Sequence, residues 1–206
     1  MYAIVKDNKI EKTGNLKQLF PETSFAGGTA NEDFKTAEGL KDVVNGERKD
    51  PVYYYVIQGD ITLVGGVPTQ QFTNTAKLLE DEDAKDADGK QIYVQVWDAD
   101  FDNGKDSDGK DLPKGNMVDS SEKQINQGLK TVMTNQVKTK TNTLLSSTDW
   151  MIIRKVERSV DVPSATETYR NAVLAECGRL ETAIGNASDV DALKAVMDAQ
   201  DWPKEG

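Results

Sequence analysis

The run Ser147-Thr148-Asp149-Trp150-Met151-Ile152-Ile153-Arg154-Lys155, with Val162-Pro163 and Tyr169-Arg170 downstream, constrains the fold more than any other stretch of the chain. Three polar residues able to cap a helix precede a large amphipathic aromatic. A proline then opens a second helix whose first turns carry Tyr169 and Arg170. The order predicts a helical hairpin. On the first helix, residues 150–158, Trp150, Ile153 and Val156 share one face. On the second, Tyr169, Val173, Cys177, Leu180 and Ile184 follow steps of four, four, three and four, so the two faces are expected to close on each other. A third short helix is expected from Ser188, with Asp189 near the positive end of its dipole and Val190, Leu193 and Val196 inward; Trp202-Pro203 ends it.

Upstream, the first 79 residues read as β-rich. Tyr2 to Val5 and Ile10 flank the turn signal Asp7-Asn8. Tyr53 to Ile57 and Ile61 to Val64 flank Gln58-Gly59-Asp60 as a second hairpin, and Gly65-Gly66 offers a tight turn into Val67. Leu16 to Pro21 reads as one helical turn stopped by proline, Phe25 to Gly28 as a loop, and a strand is expected around Val43 and Val44. Residues 80–118 form a strand, Ile92 to Trp97, set between Asp/Gly/Lys-rich loops. Asp119-Ser120-Ser121 with Glu122 suggests the start of a helix running to about Leu145, so residues 119–146 read as a connecting helix. Its apolar positions, Ile125, Leu129, Met133, Val137 and Leu144, form a stripe thin enough for an exposed connector, and the heptad order breaks at Gln136 and Thr139. Residues 147–206 complete the chain as a helical module. No internal repeat is read across it. The class is therefore α+β: a small N-terminal antiparallel β unit, an extended middle with a long helix, and a C-terminal helical hairpin plus a short helix.

Composition narrows the chemistry. Only 37% of the 206 residues are hydrophobic and the mean hydropathy is −0.61, which predicts two small cores in place of one large one. The formal charge of −10 opposes binding to a phosphate backbone. No apolar run reaches the roughly 18 to 20 residues of a membrane span, and Met1 to Lys9, with Asp7 between lysines, does not read as an export signal. The single cysteine, Cys177, fits synthesis in the cytosol. Histidine is absent, which removes the commonest general base, the usual zinc ligand and every Ser-His or Cys-His dyad. Gly27-Gly28 and Gly65-Gly66 lack the Gly-Lys-Ser/Thr sequel of a phosphate loop. The expectation is a protein that binds without catalysing and needs no cofactor.

Asp98, Asp100, Asp102, Asp106, Asp108 and Asp111, with Gly104 and Gly109, are the strongest candidates for metal binding. Counting from Asp98, however, Asn103 falls where an EF-hand requires glycine and Gly109 where it requires the bidentate glutamate. No metal is expected, and the stretch reads as a solvated loop or an insertion facing a partner.

The Thr148-Asp149-Trp150 start, the basic residue one turn on, Val162-Pro163 and Tyr169-Arg170 closely resemble the C-terminal module of phage tail assembly chaperone and tail-fibre assembly proteins. Asn15 to Phe25, Glu47 to Pro51 and Phe72 to Thr75 are similar to the N-terminal half of small tail accessory proteins of marine phages. The resemblance implies a virion tail component, made in the host cytoplasm, that binds other phage tail or tail-fibre proteins. The alternative it carries is an assembly chaperone absent from the mature particle. Whether the chain also binds further copies of itself is left open. The module's anchor residues become Trp150, Arg154, Arg158, Pro163, Tyr169 and Arg170. Of the two roles open to Trp150, core anchor and interface hot spot, the core is the expectation. Arg154 and Arg158, at i+4 and i+8, line up beside it. Tyr169 is expected inward and Arg170 exposed. Tyr53 to Tyr55 alternate faces on a strand, presenting at least one ring outward.

Overall fold

The computed structural model describes residues 1–204 and divides into two compact units, Met1–Lys77 and Leu78–Gly206. In the first, Asp7 and Asn8 both take positive φ, 49° and 57°, the two-residue geometry that matches the twist of paired strands. They join β1 (Tyr2–Lys6) to β2 (Lys9–Gly14) as an antiparallel hairpin. A helical turn, α1 (Leu16–Leu19), follows, held by a reciprocal cap. The Asn15 side chain accepts from the Gln18 amide at 2.9 Å and the Gln18 side chain accepts from the Asn15 amide at 2.9 Å. Residues 25–28, expected as a loop, contain a 3-10 turn. Next comes α2 (Glu32–Glu38), which the sequence did not suggest because it buries no residue and has no apolar period; it depends on the Asn31 cap and on Gly39 in the left-handed region.

The chain then adds β3 (Leu40–Asp42) to the free side of β1 and passes through Val43 into β4 (Val44–Asn45), which runs parallel to β6 (Val67–Ala76). Here the expected hairpin about Gln58-Gly59-Asp60 does not form. Residues 54–64 are one strand, β5 (Tyr54–Val64), with a bulge: Gln58 faces Phe72 and Ile61 faces Gln70, so Gly59 and Asp60 share the place opposite Gln71. The turn is Gly65-Gly66, both at positive φ, because only there can two successive residues adopt the conformation a tight hairpin needs. The Gln70 side chain, 5% exposed, donates to the Gly59 carbonyl and so satisfies the bulge. The core of this unit gathers Leu16, Ala30 and Leu40 with Tyr2, Ile4 and Leu19, and Phe20, Phe25 and Phe34 meet edge to face with centroids 5.0–6.2 Å apart.

The second unit opens with β7 (Glu82–Asp83), continues with β8 (Tyr93–Asp98), β9 (Asn116–Lys123) and β10 (Ile125–Asn126), and ends in four helices. Strands β8 and β9 form a two-stranded ribbon, and β7 pairs with β10 at its base. Asp119-Ser120-Ser121 is therefore not a helix start. Asp119 pairs with Gln95 in the ribbon, and helix α3 (Leu129–Ser146) begins ten residues later than the sequence suggested. Its start is fixed by the segment preceding β7. The carbonyls of Leu78 and Leu79 accept from the amides of Leu129 and Lys130, and the Asp81 carboxylate accepts from the Gly128 amide and the Thr131 hydroxyl.

Nor is α3 an exposed connector. Leu129, Met133, Val137, Thr141 and Leu145, at steps of four, are all buried. The polar member, Thr141, is accommodated because its hydroxyl donates to the Val137 carbonyl. Opposite lies the predicted apolar row of α5 (Ser164–Asn186): Tyr169, Val173, Leu180 and Ile184 are buried, whereas Cys177 is only partly covered. Helix α6 (Val190–Asp198) adds Val190 and Leu193; Asp189, and not Ser188, caps it, accepting from the Ala192 amide at 2.7 Å. It ends at Asp198, ahead of Trp202-Pro203.

Candidate docking face on the fourth helix

Helix α4 (Asp149–Arg158) buries none of its residues. Trp150 is 51% exposed, Ile153 57% and Val156 80%, so the indole is not the core anchor the sequence suggested. The physical reason is occupancy. The apolar row of α5 already packs on α3, and the cluster of Leu145, Tyr169 and Val173 is covered by Leu144 and by the Trp202 ring. The expected closure of one hairpin face on the other does not occur, and the apolar side of α4 is left facing solvent.

Polar contacts hold α4 in place. Arg170, expected to be exposed, has a side chain only 15% accessible, and its guanidinium pairs with Asp149 at 2.9 Å and donates to the Leu145 carbonyl at 3.0 Å and the Thr148 hydroxyl at 2.6 Å. A planar fork with several donors can bind three acceptors on the α3–α4 corner at once. Tyr169 does point inward and donates to the Leu144 carbonyl at 3.3 Å. The polar run Ser147-Thr148-Asp149 therefore works differently from a side-chain cap: Thr148 is buried and donates back to the Leu145 carbonyl, and no side chain caps α4. At the far end Ser159, at φ 53°, closes the helix in the left-handed region. Lys155 then reaches Glu167 on α5 at 3.0 Å, a contact that raises its pKa.

Arg154 lies over the Trp150 ring, 4.8 Å from its centroid, and its Nε is buried without a hydrogen-bond partner. Arg158 is exposed one turn further on, and Pro163, also exposed, stands at the N-cap of α5. The structure thus brings Tyr169 and Arg170 to the corner at 144–149 and stacks Arg154 on Trp150, while Arg158 and Pro163 lie further along.

Three features escaped the sequence reading. Glu176, 8% exposed, is held by both sides of the Arg179 guanidinium at 2.7 Å and accepts from the Asp201 amide at 2.8 Å; Arg179 also donates to the Ala199 carbonyl. These contacts draw the terminal segment back so that Trp202 reaches its cluster. The hydrogen bonds from Arg179 hold the Glu176 carboxyl below the usual carboxylate range, against the opposing effect of burial. The i, i+3 Glu-Arg spacing was the available signal.

The second is a repeat. Lys85-Asp86-Ala87-Asp88-Gly89-Lys90 recurs as Lys105-Asp106-Ser107-Asp108-Gly109-Lys110, and both copies fold into the same turn. In each the first aspartate accepts from the amides two and four residues on, at 3.0 and 2.9 Å. Among the described residues no three acidic or thiol groups are placed to hold a metal ion. The third is the ribbon: Trp97, 63% exposed, pairs across it with Met117, 49% exposed, and its ring lies on Gly115.

Comparison of the chain with protein-family models, with curated proteins and with solved structures finds no match. Fold and face together define an α+β chain whose most developed surface is the side of a helix. No helix among the described residues is long and apolar enough to cross a membrane.

Proposed function

We propose that this chain is a phage tail or tail-fibre accessory protein that works by binding, without catalysis: a structural component of the virion that docks other tail subunits through α4. The observation that carries the docking role is the exposed row Trp150, Ile153 and Val156 on a helix tied down by Arg170 and Lys155. A large aromatic held in place, flanked by arginine, is the composition that dominates binding energy where two proteins meet, because little conformational entropy remains to be lost. The assignment to a tail is supported by the resemblance of residues 148–170 to tail assembly modules. It places the protein in the tail of the particle after synthesis in the host cytoplasm.

Mass spectrometry of purified virions tests the assignment. Recovery in fixed stoichiometry with other tail proteins is the expected result. Presence in infected-cell lysate but not in particles would favour the second reading, an assembly chaperone. That reading draws on the same exposed face in a small, acidic chain, which would keep a transient holder soluble.

A further inference from the structure

Two apolar faces of the second unit lie open. One is the α4 row described above. The other is the ribbon, where Trp97 and Met117 form an exposed cross-strand pair on one face. A two-stranded ribbon is at best marginally stable by itself and gains from a layer laid across it. Neither face covers the other in the same chain, since both tryptophans are at least half exposed.

Charge separates the two faces. Residues 80–123 hold fourteen acids and six bases, a net of −8 within a chain of −10. Asp119 follows Met117 on the same face of the ribbon, while Asp98 and Asp100 add charge at its edge and beyond the strand. On α4, by contrast, Arg154, Lys155 and Arg158 outnumber Asp149 and Glu157, and Arg154 and Arg158 make no ion pair among the described residues, although Glu157 shares the side of Trp150 and Ile153. We infer that α4 of one copy docks across the Trp97–Met117 face of the ribbon of a second copy, with Arg154 and Arg158 meeting the ribbon carboxylates.

Charge opposes one symmetric alternative and does little for the other. Ribbon against ribbon would set two acidic segments together, and like charges brought face to face cost binding energy, whereas α4 against α4 would join two mixed-sign helices of net +1 and lacks the strong opposite field that the ribbon offers. The contact is heterologous, so it joins copies head to tail. Each face offers a few hundred Å² through its aromatic and aliphatic side chains, against about 800 Å² per partner in a stable interface. The contact is accordingly weak and appears at high protein concentration. It uses the same α4 face as the proposed docking of tail subunits, so the two contacts exclude each other at any one helix, and it is tested on the chain alone in solution, where the tail assignment plays no part.

Sedimentation analysis of the full chain near physiological salt, where a Debye length of about 8 Å screens the mutual repulsion of two acidic molecules, tests the inference. The wild type is expected to gain mass with concentration. A helix variant, Ile153→Asp with Arg158→Glu, and a ribbon variant, Met117→Glu, should each weaken self-association roughly tenfold or more. Mixing the two should restore a one-to-one complex that grows no further, because only one intact pair of faces remains. Circular dichroism and the melting midpoint verify that each variant is folded. Should Met117→Glu disturb the ribbon, Asp119→Lys, at an exposed position, replaces it. The inference fails if the wild type stays monomeric to its solubility limit, if the ribbon variant associates like the wild type, or if the folded variants do not pair when mixed.

Discussion

Trp150 and Glu176 exchange the roles that residue type alone would give them: the indole lies half in solvent and the carboxylate is nearly covered. Removing Trp150 therefore deletes a stacking contact with Arg154 and little packing, so Trp150→Ala should change stability by less than about 1 kcal/mol. A urea titration measures it. A loss near the 3 to 5 kcal/mol of a buried tryptophan would mean that α4 is covered by its own chain. Glu176 is the opposite case. Its folded-state pKa lies below its unfolded value, so its contribution is present above the ordinary carboxylate range and lost as pH falls through the folded value. Glu176→Gln removes the charge that Arg179 and the Asp201 amide hold. It should cost about 1 to 3 kcal/mol near neutral pH and flatten the acid limb of a plot of melting midpoint against pH. An unchanged acid limb would place the pH sensitivity elsewhere.

Among the elements, α3 depends most on its surroundings. Its propensity is lowered by threonines and asparagines, three of them bonding back to carbonyls four residues earlier, at Thr139, Thr141 and Thr143. What defines its first turn is the segment 78–81, whose carbonyls and carboxylate meet the free amides. Gly128, at the cap, has an ordinary negative φ, so glycine is needed for space: a Cβ there would lie 2.4 Å from the Glu80 carbonyl carbon and 2.5 Å from the Leu79 oxygen. Gly128→Ala should cost about 1 to 3 kcal/mol, because backbone must move to admit it, and the denaturant midpoint reports the loss. A neutral result would show that segment 78–81 does not define the helix start.

At the scale of the molecule, each unit has its own core, Leu16, Ala30 and Leu40 with their phenylalanines in one and the α3–α5–α6 seam in the other. Two calorimetric transitions are expected, and limited proteolysis should release a fragment beginning near residue 78 that still melts cooperatively. One transition with no stable fragment would mean that the units fold as one.

What the amino-acid order determined by itself was local. Asp7-Asn8 and Gly65-Gly66 make their turns because few residues tolerate positive φ, the Asn15/Gln18 and Asp189 caps form within four residues, and the period of Tyr169 to Ile184 marks one buried side of α5. Only the tertiary structure decided which apolar face meets which. Once α3 covered α5 and Trp202 had filled the aromatic place beside Tyr169, no buried site was left for Trp150. Strand β8 claimed residues 119–123 from a helix that their polar start had suggested, because pairing satisfies their backbone only when the partner strand is already at hand. Contacts between residues far apart in sequence made these choices, and no window of neighbouring residues carries that information.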